Sequence, residues 1–375
     1  MNGRPSRRSL LKGGLAALTA AQAHAQEPSP KLGIIGLGNR AQRHLLAFQQ
    51  VEGVEIAALS DIQADRMRAA QTGPAANAAT YVDYRELIAD RNVQAVVIAV
   101  PNYLHAKMAI EAMKAGKDVL MEKPIGITYQ EAIEVAAAAK KYNRVVAVGM
   151  QRHYAPAYRK IIEFVRGGGL GEVNLYALNE YRGDWNPKTW RWTDPQTGKQ
   201  TAWRHLRKLA GSSLLEFSVH SYGFLYEMIE SPLAKCSATG GAVQWPKRTT
   251  EDAIAVIADY RSGTRLQHTY CGFAPGAQWQ LTIAGALGSL QYDRKAATVR
   301  KQGQEPFELN LGGSEKPGGA EARMYREFFR NVRERSQSPL NPEFAIEAAK
   351  LAYAAWMSID ENRIITDKDF ASLPA

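Results

Sequence analysis

Between residues 31 and 150, short apolar runs alternate with stretches of helical periodicity, and this alternation limits the fold more than any other feature of the chain. The runs fall at 32–35, 54–59, 95–100, 119–121 and 145–148, with helix-like stretches at 41–50, 64–70, 103–115 and 129–141 between them. Wholly apolar strands joined by helical crossovers imply a parallel sheet covered on both faces. The segment around Gly73-Pro74 reads as a loop.

Beyond Gln151 the rhythm changes. A helical stretch at 155–166 stops at Gly167-Gly168-Gly169, and a strand-like run follows at 173–182. A polar, tryptophan-rich stretch at 183–208 precedes an apolar helix at 213–229. Runs at 236–240, 253–260, 264–272, 279–284 and 288–292, separated by turns, read as a mainly antiparallel sheet. Helical patterns at 321–335 and 342–362 close the chain, and the C-terminal helix can return to the first domain. At roughly 100–200 residues per domain, 375 residues allow two domains or three, and the change of rhythm at Gln151 divides the chain into two.

Residues 1–25 stand apart. Ser6-Arg7-Arg8-Ser9-Leu10-Leu11-Lys12 resembles a twin-arginine export signal; a mildly apolar stretch at 13–23 and the small-residue pattern Ala23-His24-Ala25 follow it. The expectation is export to the periplasm by the twin-arginine machinery, with a mature chain starting near Gln26. No membrane anchor is expected, because the apolar stretch is short and spanning takes about 20 residues. The formal charge of +10 falls to +6 without Arg4, Arg7, Arg8 and Lys12, and the remaining basic residues are scattered. Nucleic acid is therefore not an expected partner. With 45% hydrophobic and 22% charged residues the chain is neither disordered nor fibrous. Cys236 and Cys271 form no zinc pattern; in an oxidising compartment they either pair or stay as buried thiols.

The run at 32–35 leads into Gly36-Leu37-Gly38-Asn39-Arg40-Ala41, a G-x-G-x-x-A sequence between a strand and a helix. The first glycine permits a tight turn, and the second lets the backbone approach a pyrophosphate at the helix N-terminus. Ala41 lets the helix lie close on the sheet. Asp61 follows the second run, 23 residues after Gly38, where a carboxylate binds the ribose hydroxyls of a dinucleotide. A carboxylate there repels a 2′-phosphate, and Arg66 lies a helical turn further on, so NAD is favoured over NADP.

Further segments resemble the Gfo/Idh/MocA family of oxidoreductases. They are Val100-Pro101-Asn102-Tyr103-Leu104-His105, Ala115-Gly116-Lys117-Asp118-Val119, Glu122-Lys123-Pro124, Gly171-Glu172-Val173, and the helix bearing Glu216 and His220. The resemblance implies an α/β protein: a Rossmann dinucleotide-binding domain (31–150), then an α/β domain on an open, mainly antiparallel sheet (151–375), with the active site between them. Together with the glycine loop it puts Gly36, Gly38, Asn39, Arg40, Asp61, Pro101, Asn102, His105, Glu122 and Lys123 at the cofactor.

Lys123 follows a parallel strand at its carboxyl end, where ligands of open α/β sheets bind. An ammonium there stabilises the alkoxide that develops as hydride leaves; the alternative is a lysine that caps a strand end. Glu216 and His220 are four apart on a helix and so share a face. His220 can take a hydroxyl proton while Glu216 orients the imidazole; the alternative is a satisfied core histidine. Family members often carry Asp in place of Glu216, and many carry Asp three residues beyond the histidine, where this chain has Gly223.

Arg152 and His153, at the domain junction, are substrate candidates, as are Tyr181, Trp185 and Trp190 from an aromatic stretch that also holds Trp192 and Trp203. Aromatic faces pack on the C–H surfaces of sugars, and core or interface packing is the equal alternative. No metal site is expected, and His44, His205 and His268 carry no readable pattern. The expected activity is NAD(P)-dependent hydride transfer from a carbohydrate or polyol hydroxyl. Free NAD is scarce outside the cytoplasm, so the cofactor is expected to stay tightly bound. A captive cofactor suits sugar oxidation coupled to a second carbonyl compound, as in the family's glucose–fructose oxidoreductases. It equally suits a redox-neutral glycosidase working through a transient keto-sugar. A non-catalytic sugar-binding protein that retains its nucleotide is the third reading. The open sheet predicts a homo-oligomer, dimer or tetramer, covered through outward residues of 253–260 and 264–272.

Overall fold

In a computed structural model that describes residues 30–183, 192–193, 200–313 and 315–371, the first domain's apolar runs become strands. They are β1 (Leu32–Ile35), β2 (Ile56–Ser60), β3 (Ala79–Tyr81), β4 (Ala95–Ile98), β5 (Asp118–Glu122) and β6 (Val146–Gly149). All pair in parallel in the order β3-β2-β1-β4-β5-β6. Every residue of β1, β4, β5 and β6 is buried, which is why these strands read as continuous apolar runs rather than alternating ones. The crossovers are α1 (Asn39–Phe48), α2 (Ala64–Ala70), α3 (Tyr84–Ala89), α4 (His105–Lys114) and α5 (Tyr129–Lys141). The order reverses between β1 and β4, and a crevice opens at their carboxyl ends. The strand β3 has no apolar signature because its three residues are exposed or half-buried at the sheet edge.

The second domain begins with α6 (Pro156–Arg166) and β7 (Val173–Tyr181), followed by a small ribbon of β8 (Trp192–Thr193) and β9 (Gln200–Thr201). A π-helical turn, Leu214–Ser218, then runs directly into α7 (Val219–Ile229). Next come β10 (Leu233–Gly241), β11 (Ala253–Tyr260), β12 (Arg265–Cys271), β13 (Gln278–Gly285), β14 (Gly288–Tyr292), β15 (Ala297–Lys301) and β16 (Phe307–Glu308). The chain closes with α8 (Gly319–Glu334), α9 (Pro342–Glu361), β17 (Ile365–Thr366) and α10 (Asp367–Ala371). The nine-stranded sheet has the order β16-β15-β14-β13-β7-β12-β11-β10-β17. All its joints are antiparallel except the parallel pair β7–β12. Strand alternation turns Tyr176, Leu178, Glu180, Ile254, Val256 and His268 inward, while Ala255, Ile257, Gln267 and Thr269 face out.

The C-terminal helices tie the domains together. Pro342 opens α9 after Asn341, whose Oδ1 accepts from the Phe344 amide at 2.9 Å. Buried alanines 345, 348, 349, 352 and 355 let α9 lie close to β10, α7 and α5. The Tyr353 hydroxyl donates to the Gly126 carbonyl at 2.8 Å, pinning the loop that follows Lys123. On α8, the Tyr325 ring packs at a tilt 4.3 Å from Phe48 of α1, and its hydroxyl lies 2.7 Å from Nδ1 of His44. Cys236 and Cys271 are free thiols on opposite faces of the sheet. Among the described residues no helix is long and apolar enough to cross a membrane.

Candidate active site

The glycine loop is built for close backbone approach. Gly36 has φ +87°, and a Cβ there would meet the Ala99 carbonyl oxygen at 2.6 Å, so only glycine fits. In front of Gly38 the nearest atom to such a Cβ is Arg66 Nη1, at 3.8 Å. Helix α1 starts with neither a side-chain cap nor an acidic first-turn residue, leaving its first amides for an anion. Asp61 is held by the Leu37 amide on Oδ2 (2.7 Å) and the Gln63 amide on Oδ1 (2.9 Å), with Arg66 Nη1 at 3.7 Å from Oδ2. A cavity of about 600 Å³ runs from this loop past Asp61, Pro101, Asn102 and Lys123 to His220. A bare helix start, a closed glycine turn and a fixed carboxylate together fit a dinucleotide.

Several expected cofactor residues line the cavity while doing structural work. Arg40 Nε donates to Glu122 Oε1 at 2.6 Å, and its Nη1 reaches Glu321 Oε1 of α8 at 3.1 Å. His44 Nε2 lies 3.1 Å from the same Glu122 oxygen. Burial pushes the Glu122 carboxyl up, but Arg40 and His44 outweigh it and hold the group well below the usual carboxylate range. This network clamps the glycine loop, β5 and α8 together. The His105 ring nitrogens lie 2.8 Å from the Pro124 carbonyl and 2.9 Å from the Val100 carbonyl. Burial lowers its pKa in spite of both carbonyls. His105 thus braces the ends of β4 and β5, and its nitrogens do not reach for a ligand.

Lys123 follows β5, and its peptide bond to Pro124 is cis. Its Nζ donates to the main-chain carbonyl of Glu216 and lies 3.7 Å from Glu216 Oε2. That carbonyl belongs to the π turn, in which the Val219 amide donates five residues back to Leu214. The extra residue in the turn breaks the four-residue spacing that would set Glu216 beside His220. Glu216 Oε1 accepts from Arg204 Nε at 2.8 Å, and Oε2 accepts from Asn102 Nδ2 at 2.9 Å. Among the described residues no hydrogen bond joins Glu216 to His220, so the expected orienting contact is replaced by a counter-charge role. Burial raises the Glu216 carboxyl, but Lys123, Arg204 and Asn102 bring it down to about 2. Burial lowers the Lys123 ammonium although Glu216 and Glu122 favour its charge.

His220 lines the same cavity, and its Nδ1 is buried without a partner. Burial first, then the Arg152 and Lys123 charges, push its pKa well below 6.5. At neutral pH the ring is uncharged, the form that accepts a proton.

Comparison with known proteins matches residues 31–150 to "Oxidoreductase family, NAD-binding Rossmann fold" and 162–366 to "Oxidoreductase family, C-terminal alpha/beta domain", both of Gfo/Idh/MocA type. The chain belongs to the Gfo/Idh/MocA oxidoreductase family. An inositol 2-dehydrogenase/D-chiro-inositol 3-dehydrogenase of Lactiplantibacillus plantarum is 24% identical over 92% of this chain and 95% of its own. The oxidoreductase YrbE of Bacillus subtilis is 28% identical over 57% of this chain and 58% of its own length, so that match spans little more than half of each. A levoglucosan dehydrogenase structure, in complex with NADH and levoglucosan, superposes with a TM-score of 0.77 at 18% identity, covering 90% of this chain and 99% of that one.

This Gfo/Idh/MocA member arranges the remaining candidates unevenly. At Gly223, where many family members carry aspartate, a Cβ would meet the tip of the Met150 side chain, Cε at 2.4 Å, so a larger residue there needs Met150 to move aside. Tyr181 takes the outward register of β7, opposite Glu180, and does not line the cavity. His153 Nδ1 lies 2.6 Å from Glu227 Oε1, with Arg159 on the other oxygen at 2.7 Å, so this pair holds it away from the cavity wall. Arg152 is also off the cavity wall, its Nη1 buried without a partner. Trp185, Trp190 and the residues of the expected export signal lie outside the described residues. Trp203 lines the cavity, as do Gln151 and Arg204, which no sequence pattern singles out. The buried His44 and His268 pair with Tyr325 and Tyr222.

Proposed function

We propose that the protein oxidises a carbinol carbon of a sugar or polyol, with NAD kept bound through turnover. The observation that carries this reading is the meeting of Lys123 and a neutral His220 at the cavity that starts from the glycine loop. The nicotinamide, when bound, accepts the hydride. A hydroxyl loses its proton as its carbon loses hydride, and His220 is the uncharged base within that cavity. The Lys123 ammonium favours the developing negative oxygen over the neutral hydroxyl. Glu216 sets its negative charge against the Lys123 ammonium and the Arg204 guanidinium, and Asn102 fixes the carboxylate that does so. The polyol and anhydrosugar named for the two dehydrogenase relatives support the substrate class.

Asp61 supports NAD over NADP, although Arg66 beside it softens the repulsion of a 2′-phosphate. The twin-arginine sequence supports export with the nucleotide already inside. The outward sheet face, with Ile257 63% exposed, supports assembly into a homo-oligomer through β11 and β12. The test is nicotinamide fluorescence of the purified, nucleotide-loaded protein mixed with a panel of polyols, sugars and disaccharides. Reduction by a polyol or sugar is expected; a monosaccharide released from a disaccharide without net oxidation would make the protein a redox-neutral glycosidase instead.

A further inference from the structure

The parallel strands β5 and β6 end side by side, with Glu122 in register with Gly149. Lys123 leaves the first of them, and a 3₁₀ turn, Gln151–Tyr154, leaves the second. Neighbouring strands lie about 4.8 Å apart, so Lys123 and Gln151 rise from adjoining strand ends, and both line the cavity. The turn then follows the face of α7 that carries His220, Gly223 and Glu227. Met150 Cε would lie 2.4 Å from a Cβ at Gly223, and His153 Nδ1 lies 2.6 Å from Glu227 Oε1. Arg323 of α8 donates from Nε to the Tyr154 carbonyl at 3.0 Å and fixes the far end of the turn. Gln151 is thus set on a braced turn, at the same part of the cavity as Lys123 and His220.

Other polar side chains there are taken. Asn102 and Arg204 hold Glu216, Arg40 and His44 hold Glu122, and Lys123 donates to the Glu216 carbonyl. The half-buried Gln151 makes no hydrogen bond to a described residue, and its Oε1 is enclosed without a partner. An enclosed amide oxygen without a donor is costly. The last torsion of glutamine is broad, so rotation brings either end of the amide to the cavity. The amide accepts, donates and carries no charge, which suits a hydroxyl. The dinucleotide's pyrophosphate is provided for by the loop after β1, and β6 stands three strands across the sheet from β1. We infer that Gln151 is the specificity-determining residue of the substrate site, its amide hydrogen-bonding the hydroxyl on the carbon next to the one oxidised. Lys123 and His220 share the reacting oxygen, and the neighbouring hydroxyl is the next polar group that the adjoining strand end meets. The substrate is accordingly a vicinal diol, and a lone alcohol is a poor one. This rests on the oxidoreductase reading above and names what its site reads.

The test compares wild type with Gln151→Met, which keeps the length of the side chain and removes its polar end, both loaded with nucleotide. Glucose and myo-inositol, each with its monodeoxy analogues, are mixed with them; nicotinamide fluorescence gives the rate of reduction and calorimetry the affinity. In wild type the analogue that lacks the neighbouring hydroxyl is expected to be roughly ten- to a hundredfold poorer than its parent, the range for one hydrogen bond whose loss leaves a buried partner. In Gln151→Met the parent falls to the level of that analogue and the analogue is unchanged, while retained nucleotide shows that the variant is folded. A merely structural role would slow parent and analogue alike. An analogue penalty that persists in Gln151→Met, or none in wild type, overturns the inference and leaves the oxidoreductase reading standing wherever the parent reduces the nucleotide. Tenfold weaker NAD binding by Gln151→Met gives the amide to the cofactor and also overturns it. A penalty in affinity that depends on Gln151, with no nucleotide reduction by any compound, keeps Gln151 as the hydroxyl reader and removes the oxidoreductase reading. Neither binding nor reduction across the panel overturns both.

Discussion

Glu216→Gln keeps the shape of the side chain and removes the charge between Lys123 and Arg204. The Glu216 carboxyl is held at about 2 against an ordinary 4.5, and at about 1.4 kcal/mol per pKa unit this corresponds to about 3 kcal/mol of folding stability at neutral pH. Coulomb's law gives a similar size: opposite charges 3.7 Å apart attract by about 4 kcal/mol at an effective dielectric of about 20. Glu216 is only 8% exposed, so solvent screening takes little from either figure. Because the folded pKa lies below the unfolded one, this stability is complete above about pH 6. It falls as the pH drops through 4.5 toward 2, by about 1 kcal/mol at pH 4. Urea unfolding of wild type and Glu216→Gln at pH 7 and pH 4 measures both terms. The expected gap is about 3 kcal/mol at pH 7, narrowing at pH 4. Adding Lys123→Met should recover part of the loss, since one stranded cation is then gone. A gap under 1 kcal/mol, or one equal at both pH values, refutes the counter-charge role of Glu216.

Other expectations concern the cofactor, the export segment and the sheet face. Asp61→Ala should weaken NAD roughly tenfold or more and NADP less, because it loses ribose hydrogen bonds and relieves repulsion of the 2′-phosphate; fluorescence titration with each nucleotide decides. Replacing Arg7 and Arg8 by lysine should leave the protein in the cytoplasm on fractionation, and undiminished export speaks against the signal. Ile257→Asp, on the outward face of β11, should convert an oligomer to monomer by light scattering; a wild-type monomer at micromolar concentration removes the expectation altogether.

The parts of the fold and site that could be read from the chain are those whose physics is local. The turn at Gly36, the open approach at Gly38 and the carboxylate at Asp61 are set by a few neighbouring residues, and buried parallel strands announce themselves as apolar runs. The Glu216–His220 relation is different. Helical periodicity assumes four residues per contact, and the π turn at 214–218 breaks that count without leaving a mark in composition. Tyr181 turns away from the site by strand parity, which depends on Glu180 being the inward residue. Arg204 reaches Glu216 only through tertiary folding, and no spacing in the sequence joins them. Arg40 and Glu122 belong to the right region, but their pairing joins residues far apart in the chain, and the second partner of Arg40, Glu321, arrives only with α8.

The most direct test of the proposed chemistry is a single turnover of the bound nucleotide on stopped-flow mixing with a sugar or polyol that reduces it. His220→Ala and Lys123→Met should each slow that first reduction by roughly a hundredfold or more, with the nucleotide still bound. In wild type the rate should already be near its plateau below pH 6.5, because the imidazole loses its proton well below that value. Reduction by His220→Ala at the wild-type rate would contradict the assignment, and would leave His220 as a packed residue with the base elsewhere.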